Sequence, residues 1–252
     1  MKNHLTDKQY DDAVNFVGRN RPGNYSMFAC TDKPSTITAR IINAKEKRGE
    51  IMMYGTIGMD WFGEGITAKS FAKELKSLGD ITALDLRINS EGGAVYDARA
   101  IYTLLTEHKA RVDVHVDGLA ASAASFIAMA GDTIAVAESG FFMIHNARMV
   151  AAGTAEDFEA AAEFLRTVNR TIADTYMART GNNADKIKKW MDTETWFTGQ
   201  EALDAGFATS IVKNKTQDAT AKITVSPVFN YTNVPAALRV NRSRALALLG
   251  RN

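Results

Sequence analysis

The sequence predicts an α/β layered fold with mainly parallel strand pairing. Apolar, strand-like runs near 81–88, 111–116 and 133–137 alternate with segments whose apolar residues recur at helical spacing. Glycines at 79, 92, 93 and 118 punctuate that alternation. A stripe of Phe158, Ala161, Leu165, Val168, Ile172 and Tyr176 marks one long helix between Thr154 and Thr180.

Taken in order, residues 1–35 read as an N-terminal arm. Thr6 and Gln9 have capping-box spacing for a short helix, and the Pro- and Gly-containing stretch 19–34 reads as loop. Strands near 36–43 and 50–57 flank the charged turn Lys45-Glu46-Lys47-Arg48-Gly49. Thr67 opens a helix carrying Phe71, Leu75 and Leu78, which stops at Gly79. Strand Ile81 to Ile88, the Gly92-Gly93 loop and a helix from Val95 to His108 follow. The pattern then recurs as strand 111–116, a turn at Gly118, helix 122–130, and strands 133–137 and 141–145. Gly181 stops the long helix, which at 1.5 Å per residue would be about 40 Å long. That exceeds what a compact core of this size needs, so a protruding helix that joins subunits is expected. Residues 36–213 thus form the body of the protein, and 214–252 a linker and tail ending in an amphipathic stretch from Pro235 to Leu249.

Composition narrows the function classes. A chain of 252 residues, 46% apolar and 23% charged, suits a globular body with appendages. The net charge of +1 gives no electrostatic case for nucleic acid or a membrane surface. Cys30 is alone, which excludes an intramolecular disulfide and a cysteine-based zinc site. No apolar run approaches bilayer-spanning length, and the N-terminus lacks a signal peptide's apolar stretch. A reduced, cytoplasmic protein is the expectation.

Three junctions carry the chemistry. Strand 111–116 leads through Gly118-Leu119-Ala120-Ala121 to Ser122 at the start of a small-residue helix. A serine hydroxyl is a poor nucleophile unless a base removes its proton, and alanines at 120, 121, 123 and 124 leave room for a substrate backbone. By itself the segment reads more readily as a capping serine with closely packing alanines. It is not the Gly-x-Ser-x-Gly elbow of the α/β-hydrolases. A base working near neutrality should be histidine. Of the four, His4 lies in the arm, His108 closes a helix, and His115 sits on the strand face opposite Val112, Val114 and Val116. His145 alone follows a buried strand and precedes a loop. Gly92-Gly93 offers unobstructed backbone amides for an oxyanion, with the amide of Ala123 as a second donor. Asp192 and Glu194 both stand ahead of the aromatic pair Trp196-Phe197 as candidates to orient the histidine, and spacing does not choose between them.

Four motifs in this order resemble the Clp-type proteolytic subunits (peptidase S14), and more closely their phage and prophage relatives that act as head maturation proteases. They are Ile88-Asn89-Ser90-Glu91-Gly92-Gly93, Gly118-Leu119-Ala120-Ala121-Ser122-Ala123, Met143-Ile144-His145-Asn146, and Glu194-Thr195-Trp196-Phe197-Thr198 running into Glu201-Ala202-Leu203-Asp204-Ala205-Gly206. The resemblance covers roughly residues 50–213. It implies a spiral of repeated β-β-α units shared with the crotonases, a handle helix matching 154–180, and ring-like homo-oligomers. It implies Ser122 as nucleophile, His145 as base, Glu194 as the acid with Asp192 as fallback, and the amides of Gly93 and Ala123 as oxyanion hole. An extended substrate would pair with the edge at Gly92, Ala94 and Val95. No cofactor or metal is implied, and the substrates implied are capsid or scaffold proteins. Thr195 stands where Clp subunits commonly carry an arginine used between rings, and the loop after His145 lacks the family's proline and most of its glycines. The arm is also unlike the axial loops that meet an ATPase, so neither ring stacking nor an unfoldase partner follows from the resemblance. The rival readings are a crotonase-type acyl-CoA enzyme and a non-catalytic assembly or scaffold module on the same fold.

Overall fold

The computed structural model describes residues 35–59, 65–213 and 233–235. The short helix expected around residues 6–18 and the tail helix expected from Pro235 to Leu249 lie outside them, Pro235 itself excepted. Among the described residues, eight strands form one mixed sheet: β1 (Thr36–Asn43), β2 (Arg48–Tyr54), β3 (Ala83–Ser90), β4 (Arg111–Ala121), β5 (Thr133–Ala137), β6 (Phe141–Ile144), β7 (Thr195–Thr198) and β8 (Ser210–Val212). Six helices accompany them: α1 (Ala68–Ser77), α2 (Val95–Thr106), α3 (Ala123–Ala128), α4 (Ala155–Thr180), α5 (Ala184–Asp192) and α6 (Gly199–Asp204).

The main path runs β1-β2-β3-β4-β5-β8, while β6 pairs with β4 and β7. Pairing is parallel from β2 to β8 and between β4 and β6; β1–β2 and β6–β7 are antiparallel. The expected α/β layering therefore forms. Alternation decides which face is core: Leu84, Leu86 and Ile88 on β3 and Val112, Val114 and Val116 on β4 are at most 2% exposed. Helices α1, α2 and α3 cover that face through Phe71, Leu75, Ala98, Ile101, Leu105, Ala124 and Ile127. The residues between them fill the other face with ion pairs. There Tyr54 and Arg87 donate to Asp117, and Arg48, Arg111 and Thr133 donate to Asp113.

One element departs from expectation. Strand β4 does not end before Gly118 but runs on to Ala121, and it changes partners on the way. Asp113–Val116 pair with β5, whereas Leu119–Ala121 pair with β6. The sheet forks at this strand. Gly118 is accommodated within the strand because the small residues after it bury completely against β6, with Ala120 and Ala121 at 0% exposure.

Helix α4 is capped at both ends as its sequence dictates. Thr154 and Asp157 form a reciprocal capping box, and Gly181 closes the helix at φ 71. Within it only Ile172 and Tyr176 are buried, both in its last third. Its first half projects, leaving Phe158 and Phe164 about half exposed. The buried end docks on an aromatic cluster in which Tyr176, Phe142, Trp190 and Phe197 each pack on the ring of Phe207, with centroids 5.2–5.9 Å apart. Trp190 belongs to α5, an amphipathic helix that the sequence analysis left unassigned. Asn183 caps it, and Ile187 and Met191 face inward.

Candidate active site

Strands β3, β4 and β6 run parallel, and all three end at the same edge. Crevices beyond the carboxyl ends of parallel strands, where a sheet changes its connectivity, are the usual ligand sites of such folds. Here β3 runs directly into Glu91-Gly92-Gly93, β4 into Ser122, and β6 into His145. Three segments distant in sequence therefore meet, and the Ser122 hydroxyl lies 2.7 Å from Nε2 of His145.

Ser122 is held rigidly. Its amide donates to the carbonyl of Met143 at 2.9 Å. Its own carbonyl accepts from the Ser125 hydroxyl at 2.6 Å. Because Ser125 spends its proton there, the Tyr176 phenol, 2.8 Å away, donates to Ser125. The chain Tyr176–Ser125–Ser122 ties α4 to the turn. The backbone at Ser122 sits at φ 54, ψ −120, a conformation that non-glycine residues rarely adopt and that costs roughly 1–3 kcal/mol. That tight turn aims the side chain away from the strand and toward His145.

His145 is neutral at physiological pH. Burial, reinforced by the positive charge of Arg148, holds its pKa down to about 3. A neutral imidazole with its proton on Nδ1 accepts from the Ser122 hydroxyl, the arrangement that lets a serine lose its proton as it attacks. The other two histidines among the described residues are engaged elsewhere. His108 Nδ1 accepts from the amide of Ala110 at 3.1 Å, and His115 lies on the ionic face of the sheet, 3.4 Å from Asp85.

The Gly92-Gly93 loop is packed against the serine turn. A Cβ at Gly92 would lie 2.6 Å from the Ala121 carbonyl oxygen, 2.8 Å from Ser122 Cβ and 2.9 Å from the Ala123 nitrogen. Gly93 forms a parallel bridge with Ile57, whose amide donates to the Gly92 carbonyl and whose carbonyl accepts from the Ala94 amide, both at 2.8 Å. In such a bridge the flanking residues supply the partners, so the amide and carbonyl of Gly93 itself face the opposite side. Ala123 opens α3, and its amide has no acceptor within the helix.

The two acidic candidates differ sharply. Asp192 ends α5 with its side chain 43% exposed, accepting from Asn146 at 2.9 Å and paired with Lys188. Glu194 is 3% exposed. Its carboxylate accepts from Arg148 at 2.6 Å, from the Asn233 amide at 2.8 Å and from the Trp196 indole at 3.3 Å. Strands β6 and β7 pair with Phe141 opposite Thr198 and Ile144 opposite Thr195. That pairing ends there; Glu194 lies one residue beyond it, in the turn after α5, with a left-handed backbone at φ 49.

A narrow cavity of about 30 Å³ opens beside the pair. Val95, Ala98 and Arg99 of α2, Phe126 of α3, and Ile172 and Tyr176 of α4 line it together with Ser122 and His145. Sequence reasoning did not single out Arg99, Arg148 or the Ser125–Tyr176 pair; none stands at a motif spacing, and only folding brings them here. Among the described residues no group of three or more His, Cys, Asp or Glu side chains could hold a metal ion. No described helix is long and apolar enough to cross a membrane.

A buried imidazole against a serine hydroxyl, beside main-chain amides at the carboxyl ends of parallel strands, defines the class. The chain belongs to the Clp protease family, whose pattern it matches over residues 37–215. It is 37% identical over 133 residues to the ATP-dependent Clp protease proteolytic subunit 1 of Protochlamydia amoebophila, covering 50% of this chain and 64% of that one. It is 32% identical over 168 residues to the ATP-dependent Clp protease proteolytic subunit of Ligilactobacillus salivarius, covering 66% of this chain and 83% of that one. A third relative, proteolytic subunit 1 of Chlamydia abortus, is 30% identical over 163 residues, with 60% and 84% covered.

Proposed function

We propose that the protein is a serine endopeptidase acting through an acyl-enzyme, with Ser122 as nucleophile and His145 as general base. The observation that carries this reading is the 2.7 Å contact between the Ser122 hydroxyl and a neutral His145. Ser122 attacks the scissile carbonyl while His145 takes its proton. The tetrahedral oxyanion is held by the amides of Gly93 and Ala123. His145 then returns the proton to the leaving amine, and a water molecule repeats the cycle to release the acyl group. Glu194 steadies the imidazolium; its burial, one residue beyond the β6–β7 pairing that leads to His145, favours it over the solvent-facing Asp192. An extended substrate pairs with the outward-facing backbone at Gly93, flanked by Gly92, Ala94 and Val95, which gives main-chain affinity with modest sequence demand.

Within this reading the substrates are capsid or scaffold proteins cleaved during virion assembly, and the working form is a ring-like homo-oligomer joined through α4. The motif resemblance to head maturation proteases supports the first, and the projecting, half-apolar start of α4 the second. The decisive experiment is labelling with a fluorophosphonate followed by peptide mapping. Modification at Ser122, abolished in His145→Ala, is expected, and Ser122→Ala should lose about 10⁴-fold in peptide hydrolysis with its fold intact. Absence of labelling in the folded protein refutes the peptidase.

A further inference from the structure

The cavity beside Ser122 and His145 is mostly apolar, and with His145 neutral the one charged side chain among its lining residues is Arg99. This side chain comes from α2, is partly buried, and donates to the Thr171 hydroxyl of α4. Its guanidinium carbon lies over the Phe126 ring, 5.7 Å from the centroid. Thr171 and Phe126 together pin the group on the cavity wall, and Thr171 occupies only part of its five-donor fork. No carboxylate among the described residues pairs with it, although arginines elsewhere on the body pair readily with acids. A fixed cation facing a narrow apolar space is a receptor for a small anion, because its remaining donors match a carboxylate bidentately.

We propose that Arg99 makes this cavity selective for an acidic side chain, so that the enzyme cleaves preferentially after glutamate or aspartate. The inference rests on the peptidase reading. The cavity shares Ser122 and His145 in its wall, so the residue whose carbonyl is attacked must direct its side chain there. The narrow space admits a short carboxylate more readily than an aromatic ring. Arg99 is a specificity residue and takes no part in the proton transfers.

The test compares peptides differing only in the residue before the scissile bond, glutamate against leucine, alongside cleavage-site mapping in a proteome-derived peptide mixture. The wild-type protein should favour glutamate in kcat/KM, and the preference should shrink as ionic strength rises. Arg99→Met should lower the glutamate-to-leucine ratio by about 10- to 100-fold, read as a ratio within the same variant, with Ser122 still labelled by the fluorophosphonate. Arg99→Lys should retain part of the preference. A wild-type enzyme that labels and cleaves but favours leucine, or shows the same ratio with Arg99→Met, overturns the specificity and leaves the peptidase standing. A folded wild-type protein that neither labels nor cleaves overturns both. If Arg99→Met does not fold, the wild-type preference and its salt dependence decide the question alone.

Discussion

Replacing Gly92 by alanine tests whether the glycine loop and the nucleophile turn form one unit. Gly92 sits at φ 100, and an added Cβ would lie 2.6 Å from the Ala121 carbonyl oxygen. Contacts under 3.0 Å are essentially never seen, so at least about 0.4 Å of movement is forced, and every atom in the way is backbone or Ser122 itself. The positive φ costs about 1–2 kcal/mol for alanine, and overpacking a rigid neighbour adds about 1–3 kcal/mol. Gly79 supplies the control, since it too has positive φ but a Cβ there meets nothing within 4 Å. Gly79→Ala should therefore show the conformational cost alone, about 1–2 kcal/mol, with hydrolysis unchanged. Gly92→Ala should lose about 2–5 kcal/mol in denaturant unfolding and about 10²- to 10³-fold in kcat, because the oxyanion donors shift relative to the serine. Equal stability losses in the two variants, with Gly92→Ala retaining near-normal turnover, would refute the packing of loop against nucleophile.

Two further outcomes follow from the acid and the base. Glu194→Gln turns an amide NH₂ toward groups that donate to the carboxylate, so it should lose about 1–3 kcal/mol of stability and up to about 10⁴-fold in kcat/KM. Asp192→Asn, at a solvated helix end, should change stability by less than about 0.5 kcal/mol and leave turnover intact; the reverse ranking would reassign the acid. Arg148→Gln keeps a donor near Glu194 but removes a charge that depresses His145. The imidazole pKa should rise from about 3, and the acid limb of the kcat/KM profile should move to higher pH. In the wild type the unfolded imidazole binds a proton below its ordinary pKa near 6.5 while the folded one stays neutral to about pH 3. This group therefore contributes a stability loss as pH falls through that window, and the variant should reduce it. An unmoved acid limb would show that burial alone sets the value.

The layering of the fold was legible because alternation in β3 and β4 and the caps at Thr67, Thr154 and Gly181 are local signals. The fork in β4 was not. Gly118 reads locally as a turn, and only the burial of Ala120 and Ala121 against β6 keeps the strand extended. Helix α5 escaped for a related reason: its three lysines obscure an inward face of just Ile187 and Met191. At the site, Ser122, His145 and the glycines stand at strand ends, where sequence patterns speak. The difference between Asp192 and Glu194 lies in tertiary burial, and the places of Arg99, Arg148 and Tyr176 depend on packing between separate segments. Neither leaves a periodic trace in the chain.

The antiparallel ribbon of β6 and β7 carries a consequence for how such a protein can diverge. Its four residue pairs end one residue short of positions 145 and 194, while the chain between them makes a long outward excursion and returns. Changes of length or surface in the outer half of that excursion, before Ile172 seats on the body, leave both ribbon ends clamped. The projecting half of α4 can thus be rebuilt by evolution or by an engineer without disturbing the ends of the ribbon.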